Sequence, residues 1–361
     1  MQVTDVLAFF ILLENVLMAD QRLELLLTLF LAFFIDLTIG EPPESIHPVV
    51  LIGKVINKLE NLLMHENPHI EKLNGLILAV STVIIFVIPF YLLLVIVRLF
   101  LGVLAAVILA AYLLKTTFSL KFFISLITPI ANALESNNIK DARKLVSRVV
   151  GRETSTLDNR LITSAAVETV AEGIPDSLTS SIFYFALFGF FGVIIGVVGA
   201  LAFRAISTLD SMVGYKDPKH VNMGLISAKL DDAANFIPAR LSAFLIVIAS
   251  IFLRENYRNS WKIMKRDNAA TSSINSGWVM AAAAGALNVE LEKPGNYLLG
   301  DPIDPLDHSH ISRVGKILKL TIGLFLLFVC VPIILVSPYI SSLMTKFIDL
   351  LIGSILTRYT V

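Results

Sequence analysis

The sequence predicts an all-α fold, a polytopic integral membrane helix bundle with amphipathic cytoplasmic helices, organised as a single membrane domain over residues 1–361. Composition is the first reason. The chain is 56% hydrophobic and 16% charged, with a mean hydropathy of +0.78; soluble domains carry about 25% charged residues. Length of run is the second. Apolar segments cover about 23–39, 76–97, 99–114, 178–202, 236–253, 317–336 and 339–355, and a span takes roughly 20 residues. Backbone chemistry is the third: in lipid each N–H and C=O must be satisfied internally, so these runs read as helices.

Each element follows from its local pattern. Residues 3–18 are apolar but contain Asp5 and Glu14, which favours an interfacial N-terminal helix over 1–22 rather than a span. No Lys or Arg precedes Arg22, so a secretory signal is not expected, and Met18 is an alternative start that would make the first segment dispensable. Arg98 divides a long apolar run into a helical hairpin. Gly189, Gly192, Gly196 and Gly199 stripe the segment 178–202 at spacings of three to four, which reads as close helix packing. Between the spans lie polar stretches at 40–74, 115–177, 207–235 and 254–316. The second holds amphipathic patterns over 118–136, 138–150 and 155–173. The stretches 115–177 and 254–316 are expected as cytoplasmic elaborations.

Charge sets orientation and excludes some functions. The net charge is zero, so no global field recruits nucleic acid. The single cysteine, Cys330, excludes an intrachain disulfide and a cysteine metal site. Nineteen of the 29 Lys and Arg fall in 40–74, 115–177 and 254–316, which the positive-inside bias places in the cytoplasm. Simple span counting then puts 207–235 on the other face, against a site that uses all four stretches. Tilted, re-entrant or protein-buried segments at 178–202 and 236–253 would reconcile the two.

Four polar constellations stand beside hydrocarbon, where charges are expensive and usually functional. The first is Asp36 to Pro43, with Glu41, followed by His47-Pro48. Pro42 forces Glu41 out of helical conformation, ending the helix near Gly40. A capped helix end is the competing structural reading. The second runs from Gly151-Arg152-Glu153 to Asp158 and on to Glu168, Glu172 and Asp176. Glu168 and Glu172 share one helical face and repel unless a cation intervenes; a solvated charged face is the alternative. The third, Arg204 to Arg240, carries Asp210, Lys216, Lys229, Asp231, Asp232 and Asn235. Paired acids with an amide oxygen suit Mg²⁺, while Arg204, Lys216 and Arg240 suit phosphate. Buried ion pairs are the alternative. The fourth, Ser273 to Leu287, reads as a turn with Asn275 and Gly277 before a small-residue helix. Walker A, GxGxxG, HExxH and GxSxG patterns are absent.

Taken together, DLTIGEPP with HPVVLIG at 36–53, VVGRETSTLD at 149–158, AAVETVAEG at 165–173, RAISTLDSMVGYK at 204–216, KLDDAANFIPARL at 229–241 and INSGWVMAAAAGAL at 274–287 resemble the CobD/CbiB family of cobalamin biosynthesis. The resemblance covers about 23–300. The chain departs from the family pattern at Glu153, Gly173 and the 270s loop, where Thr271 stands near a usual His.

The resemblance implies a membrane enzyme, an adenosylcobinamide-phosphate synthase, at work in the cell membrane as a multi-pass protein whose active site faces the cytoplasm. It implies a carbon–nitrogen ligase reaction. Aminopropanol phosphate, or aminopropanol, is joined as an amide to the propionate of adenosylcobyric acid, with ATP and Mg²⁺. A carboxylate does not react with an amine near neutral pH, so ATP must activate it, as an acyl phosphate. On this basis metal binding falls to Asp231, Asp232, Glu168 and Glu172. Phosphate or nucleotide contacts fall to Arg152, Arg204, Lys216, Lys229, Arg240 and Asn275. Asp210 or Glu41 takes the amine proton, with His47 a lesser candidate. The expected partners are the corrinoid substrate, the amino alcohol phosphate and membrane lipid, with no nucleic acid; a homo-oligomer or a complex with other corrinoid-pathway enzymes is the expected assembly. A Mg²⁺-dependent intramembrane transferase of the prenyltransferase or CDP-alcohol type and a corrinoid transporter are the competing classes. An intact DGxxAR run is missing, which counts against the CDP-alcohol type.

Overall fold

The computed structural model describes residue 12 and residues 14–215 and 217–359. The architecture is an all-α bundle. Among the described residues, five helices are long and apolar enough to cross a membrane. The one sheet among the described residues is a short antiparallel hairpin, β1 (Glu290–Lys293) and β2 (Tyr297–Gly300).

The chain opens with α1 (Gln21–Thr38), capped by Asp20, whose carboxylate accepts from Arg22 N–H at 2.9 Å. A tight turn through Gly40 (φ 87°) leads to α2 (Pro48–Leu63). Next comes α3 (Pro68–Lys115), which reverses at Gly102 (φ 87°, ψ 179°). The reversal expected at Arg98 therefore lies four residues later. Arg98 stays helical and pairs with Glu24 of α1 through two bonds of 2.7 and 2.9 Å. Only a residue without Cβ adopts the Gly102 dihedrals cheaply, so the glycine, not the charge, turns the chain. The second arm then runs alongside α1 and delivers Lys115 to Asp36.

Glu14 belongs to this turn. Its Oε1 accepts from Val103 N–H at 2.9 Å, an orphan donor at the start of the second arm. Residues 14–19 are helical, while residues 1–11 and 13 of the expected interfacial helix lie outside the described residues. Glu14 and Leu17, both upstream of Met18, thus contact the start of the second arm.

Two amphipathic helices follow, α4 (Leu120–Glu135) and α5 (Ile139–Val146), capped by Ser119 and Asn138. The helix α6 (Asn159–Ile174) starts at an Asp158 cap, whose carboxylate accepts from Leu161 N–H at 2.8 Å. A π turn at Pro175–Thr179 absorbs the proline, and the helix continues as α7 (Ser180–Phe188).

At this point the structure departs from the expected span 178–202. Gly192 (φ 106°, ψ 166°) reverses the chain in the middle of that apolar run, and α8 (Val193–Val213) returns along α7. The Tyr184 and Phe203 rings stack at 5.5 Å between the two helices. A Cβ on Gly196 would lie 2.8 Å from Phe185 O. Gly196 and Gly199 therefore permit close packing, as expected, whereas Gly192 makes the turn. The extra reversal carries Asp210 back towards Asp176.

The long α9 (Leu225–Phe252) packs against α8 and is followed by α10 (Tyr257–Asp267) and α11 (Ser276–Leu287). After the hairpin come α12 (Ser309–Phe325), a π turn at Leu326–Cys330 and α13 (Val331–Tyr359). The main core is an apolar cluster running from Leu25 to Ile334, with a small satellite of Leu17, Val103 and Val107. Small residues make it dense: Ala281 to Ala284 and Ala286 on α11 have no exposed surface. Around the outside, Phe100, Leu101, Phe328 and Phe347 are exposed, as a lipid-facing surface requires.

Candidate active site

Asp176, Arg204, Asp210 and Asp231 come from the π turn, α8 and α9, and they meet in one place. Each lies within electrostatic range of others in the group, and Glu41 acts on Arg204 across it. All four remain partly accessible to solvent, and Glu172, one turn before Asp176, is exposed. These residues keep part of their surface accessible and form a polar cleft between the helices. Two polar atoms there have no protein partner: Arg204 Nε and Asp231 Oδ1. Asn235 donates to Asp231 Oδ2 at 3.0 Å and accepts from Ser180 at 2.6 Å, which fixes the Asp231 rotamer. The Asp210 carboxylate makes no hydrogen bond or ion pair among the described residues.

The first constellation adjoins this cleft. Lys115 has no exposed surface; its Nζ lies 2.7 Å from Glu41 Oε1 and 3.4 Å from Asp36 Oδ1. His47 Nδ1 accepts from Val49 N–H at 3.1 Å, so Nε2 carries the hydrogen and donates to Glu41 Oε2 at 2.8 Å. Burial pushes the Glu41 carboxyl up, but hydrogen bonds from His47, Lys115 and Ser119 outweigh it and hold the group at about 2. Glu41 is therefore a permanent anion near neutral pH and a weak proton acceptor. A cavity of about 290 Å³ opens between Glu41 and His47 on one side and Ser177 and Arg204 on the other.

A second acidic group sits at the hairpin. Glu168 Oε1 accepts from Ser164 at 2.5 Å, its Oε2 accepts from Tyr297 at 2.9 Å, and Arg152 Nη2 stands 3.6 Å away. Burial first, and then the Glu168 charge, push the Tyr297 phenol up, so it remains a donor. Glu292 N–H donates back to Ser164 Oγ at 2.7 Å and anchors β1 to α6. Arg160 pairs with the Glu292 carboxylate. Arg152 is thus paired with Glu168 and Glu292 O, while its Nε makes no hydrogen bond.

A family model described as CobD/Cbib protein matches residues 29–352. The chain belongs to the CobD/CbiB family. The "probable cobalamin biosynthesis protein CobD" of Methanothermobacter thermautotrophicus is 40% identical over 299 residues, 83% of this chain and 95% of the relative. The "cobalamin biosynthesis protein CobD" of Dehalococcoides mccartyi is 40% identical over 292 residues, 80% and 91% respectively. The "probable cobalamin biosynthesis protein CobD" of Methanocaldococcus jannaschii is 36% identical over 303 residues, 83% and 95%. No solved structure matches the chain.

Within this CobD/CbiB chain the residues named from sequence divide into groups. Arg204, Asp210 and Asp231 share the cleft, with Glu41 and His47 beside it. Glu172 links the cleft to Glu168 and Arg152 at the hairpin. The four acids expected to hold metal do not form one cage. Glu168 lies two helical turns before Asp176 and is already bonded to Ser164 and Tyr297. Among the described residues no three His, Cys, Asp or Glu side chains could hold a metal ion by themselves. Mg²⁺ needs fewer protein ligands than that, because it keeps waters and shares phosphate oxygens.

Arg240 is largely committed to protein. It donates to Phe236 O, Asn275 Oδ1 and Ile274 O at 2.9, 2.5 and 2.9 Å, and stacks over Phe236 at 3.6 Å. Asn275 in turn donates to Asp232 O at 2.9 Å. Arg240 and Asn275 thus brace the 270s loop against the acidic turn of α9. Lys229 is exposed on α9 and makes no ion pair among the described residues. Lys216 lies outside the described residues.

Sequence reasoning did not single out Lys115 as a site residue. Its signal was available: it is a cation at the end of a long apolar helix, and such residues carry function by default. Pro175 stands between Glu172 and Asp176, but the π turn absorbs it and keeps Asp176 in line with Glu172.

Proposed function

We propose that the chain carries out the amide-forming step that joins aminopropanol phosphate, or aminopropanol, to the propionate of adenosylcobyric acid in cobalamin biosynthesis. Family membership and the names of the relatives support a role in that pathway. The observation that carries the finer reading is the cleft, which places unpartnered Arg204 Nε and Asp231 Oδ1 among three aspartates inside a membrane bundle. Such a group is costly in lipid unless a ligand completes it.

The unspent atoms fit ATP and Mg²⁺. Asp231, assisted by Asp176 or Asp210, would hold the metal, and Arg204 would contact phosphate. When bound, they activate the carboxylate and neutralise the transferring group. The protein's own residues do the rest. Arg204 orients an anionic oxygen through Nε. Asp210 accepts the amine proton, since the hydrogen bonds from His47, Lys115 and Ser119 leave Glu41 too weak a base for it. Asn235 and Ser180 hold Asp231 in place, so little reorganisation remains at the moment of reaction. The corrin acid is too large for the 290 Å³ cavity and would lie over the cleft mouth, which this reading places on the cytoplasmic side.

The test is direct. Detergent-solubilised protein is incubated with adenosylcobyric acid, aminopropanol phosphate, ATP and Mg²⁺, and the product is weighed by mass spectrometry. ATP-dependent appearance of the amide supports the reading; corrinoid binding without product, under conditions where the protein stays folded, overturns it.

A further inference from the structure

Lys115 is a lysine with no exposed surface near the end of a membrane helix. Neutralising its charge would require only Asp36, which is equally buried. Yet the shorter contact, 2.7 Å, goes to Glu41, whose side chain keeps 32% of its surface exposed. Asp36 has other work: its Oδ2 accepts from Leu120 and Lys121 N–H at 3.1 and 3.0 Å, capping α4. So the ammonium is aimed at the one carboxylate that faces the cavity, opposite Arg204.

We propose that Lys115 is a positioning residue that holds the Glu41 carboxylate, ionised, against the cavity and reserves that cavity for a small ligand bearing an ammonium group. The inference rests on the amide-forming reading for the identity of that ligand as the amine substrate. The charged groups acting on Glu41 come from every side: Asp36 on α1, His47 before α2, Lys115 on α3 and Arg204 on α8. Lys115 and His47 each approach one oxygen and Ser119 donates as well; a carboxylate offers about four acceptor sites, which leaves one for an incoming N–H. The cavity's volume, about 290 Å³, sits at the lower end for small-molecule sites. It admits an amino alcohol phosphate and excludes a corrin ring. The hydroxyls of Thr117, Ser119 and Ser177 line the space between the anionic and cationic walls.

The experiment measures binding of aminopropanol phosphate, without ATP, to the detergent-solubilised full chain by isothermal titration. Three proteins are compared: wild type, Glu41→Gln, and the double variant Lys115→Met with Asp36→Asn, which removes both members of the buried pair together. Affinity should fall roughly tenfold or more in both variants, as expected for one charge-assisted hydrogen bond. The pH series uses aminopropanol, which has no phosphate to titrate near 6: wild-type affinity should be flat from about pH 7 down to 4, while that of the double variant should fall below about pH 5 as Glu41 protonates near an ordinary carboxylate pKa. Glu41→Gln keeps Lys115 paired with Asp36, so it decides the matter if the double variant does not fold. Unchanged affinity in Glu41→Gln, or no amine binding by wild type, overturns the proposal. Amine binding that depends on Glu41 and Lys115 but never leads to an amide supports it and overturns the ligase reading alone.

Discussion

Arg240 on α9 donates from Nη1 to Asn275 Oδ1, 2.5 Å away, and so ties the 270s loop to the helix that carries Asp231 and Asp232. A second bond to Ile274 O and a stacked Phe236 ring complete the brace. Lysine offers neither the planar fork nor the second donor direction. Arg240→Lys should lower stability by roughly 1.5–3 kcal/mol and reduce amide formation through a displaced loop. Thermal melts in detergent and the product assay check both, and retained activity with a lowered melting temperature would confine Arg240 to stability.

Asp231 presents one oxygen that no protein group satisfies. Asp231→Asn keeps the shape and the Asn235 neighbour but removes the charge. Turnover should fall by roughly 10²-fold or more, the size expected when metal or phosphate charge loses its counterpart. The protein should still fold, because a buried like-charged neighbour of Asp176 and Asp210 has been neutralised. Single-turnover product formation at saturating Mg²⁺ measures the effect, and activity within twofold of wild type would remove Asp231 from the metal site.

Glu41 predicts a pH window. Its folded pKa of about 2 lies below the ordinary 4.5, so the unfolded chain binds the proton more readily. Its stabilising contribution is fully present above about pH 4.5 and is lost as pH falls from there towards 2. Acid titration of the melting temperature should show this loss in wild type and a shallower one in Glu41→Gln.

Gly192 turns the chain at φ 106° and ψ 166°, a region open essentially to glycine alone. Gly192→Ala should cost about 1–3 kcal/mol from backbone strain, even though no heavy atom stands within 4 Å of the added Cβ. Gly151→Ala, with equally open space and no positive φ, serves as the control and should change the melting temperature little.

Glu14 satisfies Val103 N–H beside the Gly102 reversal. A chain beginning at Met18 should lose roughly 1.5–3 kcal/mol, the worth of a hydrogen bond to a charged acceptor. Glu14→Gln, which can still accept, should lose less. Comparing the melting temperatures of the three proteins separates the cap from the bulk of the segment.

Hydropathy, run length and the order of polar motifs were enough to read an all-α membrane bundle and to point at Arg204, Asp210 and Asp231. Apolar length and backbone satisfaction in lipid are local properties, and Asp20, Ser119 and Asp158 announce helix starts within three residues. The side chains that matter to the cleft also lie in short runs whose charge is conspicuous beside hydrocarbon. Folding in three dimensions settled what a window sum cannot see. A single positive-φ glycine at 192 reverses an unbroken apolar run and returns Asp210 towards Asp176. Contacts between positions far apart in the chain then sorted the roles: Lys115 with Glu41, Glu168 with Tyr297, and Arg240 with Asn275. Each depends on the path of the helices between its partners, and so no local pattern encodes it.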